Sequence, residues 1–238
     1  MLGVLGGMGP LATADFMVKL AQRTPARSDA EHVPVLVRSV PDIPSRVAAI
    51  AGTGPSPLPM LRRGLTVLLD AGAKAIVVPC HTAHVWADAM QSWIAPRPLI
   101  RADDAIVRAI SRAVIAPGPV GLLATQSLLS TGLYQEQLRL AGYRTIPLDQ
   151  HSIDAVMTAI ALVKAGDVES ARSLVEQAVA AQQKAGAAKV ILACTELPVA
   201  VGADWNGLCV DTTECLADAC IAWWQSLPPD HKDKATET

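Results

Sequence analysis

The feature that most constrains this chain is an internal repeat. Residues 71–80 (AGAKAIVVPC) align without a gap with residues 185–194 (AGAAKVILAC), at an offset of 114. Each copy reads as the end of a helix, a glycine stop, a short buried strand and then a cysteine. A second and weaker pair, residues 3–13 and 121–131, aligns at an offset of 118, and in each copy a Gly-started strand opens the match. Self-similarity at nearly one spacing implies two copies of one structural unit.

The pattern between the repeats sets the fold class. Short aliphatic runs at residues 1–5, 33–40, 74–79, 120–124 and 189–193 have the length of buried strands. Residues 13–22, 60–71, 152–164 and 168–184 carry apolar side chains at the three-and-four spacing of helices. Asp167 stands where a helix N-cap belongs, and Gly72, Gly166 and Gly186 where helices stop. Strands alternating with helices give βαβ units and parallel sheets. The expected architecture is therefore α/β: two similar α/β domains, each a parallel sheet flanked by helices, related by a pseudo-twofold axis.

The Pro-rich stretch Ala95-Pro96-Arg97-Pro98 marks the cut between them. A return near Trp205 to Leu208 would send a terminal helix over residues 212–224 back onto the first unit. The domains are then residues 1–97 plus 208–238, bearing Cys80, and residues 98–207, bearing Cys194. The polar, proline-led segment from residue 228 onward is expected to fray.

Composition narrows the function. Twenty basic residues against 22 acidic ones leave a net charge of −2 without a basic block, which argues against nucleic acid as a partner. No apolar run reaches the roughly 18 residues a bilayer span needs, so no membrane insertion is expected. No signal peptide is read at the start. Five cysteines, an odd number, argue against a disulfide framework and for reduced thiols in the cytoplasm.

Ligands of open parallel sheets bind beyond the carboxyl ends of the strands. Two such units facing each other would bring Cys80 and Cys194 to opposite sides of one cleft. Two like acid/base groups on opposite sides of a carbon are what inversion of that carbon requires: one removes a proton, the other returns one. A strand-to-helix junction helps, because helix N-terminal amides favour thiolate. His81, Thr82 and His84 after the first cysteine, and Thr195 and Glu196 after the second, offer hydrogen-bond groups and a titrating partner. Cys209, Cys215 and Cys220 have no counterpart in the repeat and read as packing residues. Without the repeat, either cysteine alone would read as an inert buried thiol.

Residues 3–13 (GVLGGMGPLAT), 79–84 (PCHTAH) and 193–198 (ACTELP) together resemble the aspartate/glutamate racemase family, aspartate racemases in particular, over nearly the whole chain. The resemblance implies a two-base racemase that uses no cofactor and no metal, acts on a small acidic amino acid and is commonly a homodimer. It makes Cys80 and Cys194 the acid/base pair and places Met8, Thr82, Thr125 and Thr195 around the α-carboxylate and amino group. Arg46, whose guanidinium matches a carboxylate fork, resembles the family's clamp on the side-chain carboxylate, and Lys164 a second position facing it. Read without the resemblance, both are solvated charges at helix ends. His81 departs from the family pattern, which has Asn after the first cysteine.

Three other readings compete. Residues 7–12 fit the loose G-x-G-x-x-G/A dinucleotide fingerprint, but no acidic residue clearly ends the second strand to hold a ribose; the glycines read instead as a tight turn bringing backbone amides to a carboxylate. Cys80, His81 and His84 could ligate zinc, with no evident fourth ligand. A related maleate isomerase or hydantoin racemase would share both cysteines.

Overall fold

The computed structural model describes residues 1–113, 118–201 and 207–228. In chain order, the first part holds β1 (Leu2–Gly6), α1 (Pro10–Arg23), β2 (Val35–Ser39), α2 (Arg46–Ile50), α3 (Leu58–Asp70), β3 (Ala75–Val77), α4 (Ala87–Ile94), β4 (Leu99–Ile100) and α5 (Ala102–Ala113). The rest holds β5 (Pro119–Leu123), α6 (Gln126–Thr131), α7 (Leu133–Leu140), β6 (Arg144–Ile146), α8 (Gln150–Ala165), α9 (Val168–Lys184), β7 (Val190–Leu192), α10 (Glu196–Val201), β8 (Cys209–Asp211) and α11 (Thr212–Ser226). Short 3-10 helices cover Asp29–Glu31 and His81–Trp86.

The strands form two parallel sheets of the same topology, β2-β1-β3-β4 and β6-β5-β7-β8. The two sequence repeats, with their different offsets, meet in one register: Gly3 lies opposite Ile76, and Gly121 opposite Val190. The fold is thus two α/β units, each a parallel sheet flanked by helices. Asp167 caps α9 by accepting a hydrogen bond from the Ser170 N–H, and Gly72, Gly166 and Gly186 all take positive φ after their helices.

The division into units differs from the expected one at both joins. Leu99–Ile100, beyond the expected cut at residue 97, pairs with β3 and completes the first sheet. Cys209–Asp211, expected in the first unit, pairs with β7 and completes the second. Their apolar runs, two residues at Leu99–Ile100 and three at 208–210, are shorter than those around β3 and β7 and show no pattern. The expected return falls partly on residues 202–206 and the expected frayed tail mostly on residues 229–238, and both of these stretches lie outside the described residues.

Alternation along the strands sorts the interior into three layers. Ile76 and Leu5 pack beneath α3 and α4, while Val190 and Leu192 pack against α8, α9 and α10. The opposite faces of both sheets share one cluster: Leu2, Val4 and Val77 from the first unit meet Val120, Leu122 and Ile191 from the second, with Ile106 of α5 and Trp224 of α11 between them. Helix α11 packs on α1 and α5. Arg23 of α1 binds Glu214 and Asp218 of α11 at 2.9 and 2.6 Å, and Lys19 reaches Asp211 at 2.7 Å. These partly exposed pairs fix the helix register more than they add stability.

The turn after β1 needs Gly7. Its φ is +92°, and a Cβ there would lie 2.3 Å from the Val40 backbone nitrogen. Gly52 has a φ of +70° but open space around it. A left-handed conformation alone costs a side chain roughly 1–2 kcal/mol. Gly52→Ala is therefore expected to lose about 1 kcal/mol in urea unfolding and Gly7→Ala clearly more, since the β1–β2 backbone must also move; equal losses would contradict the steric argument.

Candidate active site

The carboxyl ends of the two sheets converge on one cavity. Cys80 lies three residues past β3 and begins the 3-10 helix, and Cys194 lies two residues past β7, before α10. Both are buried, each 6 % exposed. The two thiols line the same cavity, together with Met8, Arg46, His81, Thr82, Thr125, Lys164, Thr195 and Glu196. Ser45 and Val47 also line it, and were not foreseen. Ser45 caps α2 by accepting from the Ala48 N–H, and a Ser just before a helical stretch was the available signal. Size alone would mislead: a hollow of about 770 Å³ lies beside α7 and β6, and among its lining residues are Tyr143 and the ion-paired Glu136 and Arg139, with no cysteine.

Met8 is held by the turn that precedes α1. The Thr13 hydroxyl accepts from the Gly7 N–H at 2.9 Å and donates to the Gly9 carbonyl at 2.8 Å, so both glycines are bound to the first turns of α1. Thr125 caps α6 and stands 3.3 Å from Thr82, hydroxyl to hydroxyl, joining the two units at the cavity wall.

Arg46 is anchored by the backbone. Its Nη1 donates to the carbonyls of Ile43 and Pro44 at 2.9 and 3.0 Å, and its Nη2 to that of Met8 at 3.3 Å. Its Nε–H is buried without a partner. A buried donor left unpaired is costly.

Cys194 and Glu196 form a tight pair. The thiol donates to Glu196 Oε2 at 3.1 Å, and the Thr195 hydroxyl donates to the same oxygen at 3.3 Å. Burial, then the neighbouring carboxylate, push the Cys194 thiol well above its ordinary value. The helix-junction effect expected from sequence is outweighed here, and Cys194 rests protonated. Glu196 Oε1 is buried without a hydrogen bond, with Lys164 Nζ 3.9 Å away.

Both histidines that follow Cys80 are buried, and His81 is not the titrating partner that the sequence offered. Burial lowers both, His81 to about 3. His84 Nε2 accepts from the Ala102 N–H at 3.1 Å, which makes Nδ1 the protonated nitrogen that donates to the Cys80 carbonyl at 3.0 Å. His81 has Tyr134 Oη 2.8 Å from Nδ1 and Thr212 Oγ1 2.7 Å from Nε2. With all four ring nitrogens engaged by protein groups, Cys80, His81 and His84 do not make a zinc site. Tyr134 and Thr212 were missed from sequence; a buried phenol demands a partner, but its identity depends on the fold.

The family described as Asp/Glu/Hydantoin racemase matches residues 5–220. The structure of an aspartate racemase from Picrophilus torridus is 30% identical, covers 97% of this chain and 96% of its own, and superposes with a TM-score of 0.84. A broad specificity amino-acid racemase of Bacillus subtilis is 24% identical over 234 residues, 93% of this chain and 97% of its own length. A glutamate racemase of Deinococcus radiodurans is 30% identical over 180 residues, which are 74% of this chain and 55% of that protein.

A neutral buried His81 makes stability depend on acid. Its folded value lies below the unfolded 6.5, so its contribution is complete above pH 6.5 and declines as pH falls toward about 3. His84 acts in the same direction. Removing one such proton uptake should flatten the acid limb by about 1.4 kcal/mol per pH unit. Denaturant unfolding of His81→Asn between pH 6 and 4 is expected to show that shallower slope; a slope equal to that of the unaltered protein would mean His81 is already charged when folded.

Proposed function

Because the chain belongs to the Asp/Glu/Hydantoin racemase family, we propose that it interconverts the L- and D-forms of aspartate or glutamate by 1,1-proton transfer without a cofactor. The observation that carries this reading is that Cys80 and Cys194, from equivalent strand ends of the two units, line one buried cavity.

In the proposed reaction, the Cys80 thiolate removes the Cα proton from one face, forming S–H. The electron pair of the broken C–H bond stays on the substrate, delocalised toward its α-carboxylate. Cys194, protonated at rest through burial and Glu196, delivers its proton to the opposite face and becomes thiolate. The other enantiomer runs through the same steps in reverse. General acid–base transfer of this kind contributes about 10²–10⁴-fold to rate.

The rest of the cavity suits an acidic amino acid. The unpartnered Arg46 Nε–H offers a directed donor to the side-chain carboxylate, with Lys164 at the rim. Glu196 Oε1, which has no hydrogen bond and stands 3.9 Å from Lys164 Nζ, offers an acceptor to the ammonium. The hydroxyls of Thr82, Thr125 and Thr195 surround the α-carboxylate.

Incubation with L-aspartate or L-glutamate in deuterium oxide is expected to yield the D-form labelled at Cα, followed by chiral chromatography and mass spectrometry. Cys80→Ser and Cys194→Ser should each lower kcat by about 10²–10⁴-fold; near-normal turnover in both would remove the assignment. Arg46→Gln should raise KM for the acidic substrates at least about tenfold, the scale of one charge-assisted hydrogen bond, while changing the turnover of neutral amino acids little.

A further inference from the structure

The buried histidine beside the first cysteine has both ring nitrogens engaged by the second unit. Tyr134 belongs to α7 and Thr212 begins α11 directly after β8, whereas His81 follows Cys80 in the first unit. Proton roles along this contact are forced. The single Thr212 hydroxyl proton goes to the Leu192 carbonyl at 2.6 Å, so Thr212 must accept from His81 Nε2–H. A neutral ring protonated at Nε2 has a bare Nδ1, which must accept from the Tyr134 hydroxyl. Burial keeps the phenol protonated for that task.

This gives an unbroken chain from Tyr134 through His81 and Thr212 to Leu192. Leu192 is the last residue of β7, two before Cys194, and His81 is the residue after Cys80. All four partners are buried: Tyr134 is 1 % exposed, His81 2 %, Thr212 0 % and Leu192 1 %. Hydrogen bonds shielded from water hold their geometry tightly.

We propose that His81 is a positioning residue, a neutral strut that fixes the segment bearing Cys80 against the strand bearing Cys194 and so sets the span of the two thiols across the substrate. The proposal rests on the racemase reading. Its nitrogens being spent on the protein, His81 gives no polar atom of its ring to the substrate. Misplacement of reacting groups by about 1 Å can cost on the order of 10²-fold in rate, so the strut acts on kcat rather than on binding.

The side-chain amide of Asn reaches the place of Nδ1 and that of Gln the place of Nε2, so each substitution cuts one arm. His81→Asn keeps the Tyr134 arm and loses the Thr212 arm; His81→Gln does the converse. His81→Asn and Thr212→Val are each expected to lower kcat by about 10- to 100-fold with KM within about twofold, and to enlarge the Cα-deuterium isotope effect on kcat as proton transfer becomes more rate-limiting. The double variant should be no worse than either single one, because both remove the same arm. Tyr134→Phe combined with His81→Gln should behave alike. Loss of folded protein alone would lower apparent kcat without moving the isotope effect.

A raised KM at unchanged kcat would overturn the proposal by making His81 a substrate ligand, and so would additive losses in the double variants. Nitrogen-15 spectra of the imidazole supply a readout independent of turnover: a neutral Nε2–H form that does not titrate between pH 5 and 8 supports the strut, and a titrating ring refutes it. Inactivity of the unaltered protein on every amino acid would sink the racemase reading, and the imidazole spectrum would then judge the strut by itself.

Discussion

A parallel strand buried on both faces cannot present chemistry along its length. Its backbone is spent on neighbouring strands, its side chains on the helices above and below, and only its carboxyl end meets open space. In this chain that constraint applies twice, in two sheets of one topology. The cysteines follow β3 and β7, interior strands of their sheets, and most of the remaining cavity residues come from the loops and helix starts at the same edges. Position in the fold, more than any local motif, makes these two thiols different from Cys209, Cys215 and Cys220, which pack into the core.

Duplication supplies two like groups, and the surroundings make them unlike. Cys194 keeps its proton and donates a hydrogen bond to a buried carboxylate two residues away. Cys80 is followed by an imidazole that is fully bonded elsewhere. The tetrapeptides PCHT at residues 79–82 and ACTE at residues 193–196 share only the cysteine, so the two thiols meet different neighbours. In the aligned repeats His81 stands where the second copy has Thr195, and Thr82 where it has Glu196.

Much of this could be read before the fold was known, for identifiable reasons. The central strands and the long helices α1, α3, α8, α9 and α11 have full periods of apolar residues, and the repeat identified Cys80 and Cys194 without reference to geometry. The edge strands β4, β6 and β8 could not be read, because their apolar runs, two residues at Leu99–Ile100, are shorter than those around β3 and β7. The site was less legible than the scaffold. Nothing in the sequence says that Tyr134 and Thr212 meet His81, since those facts depend on contacts 53 and 131 residues apart. Nor could it show that Arg46, read as a clamp, is itself clamped by three backbone carbonyls.

The apolar layer shared by the inner faces of both sheets runs from Leu2 at the start of the chain to Trp224 near its end. Neither half therefore closes its own interior. A chain severed between the repeats would yield two pieces, each with a bare oily face and one of the two cavity cysteines. Assembly of the halves is the event that closes this layer and brings the two cysteines to one cavity, so the cavity exists only in the completed molecule.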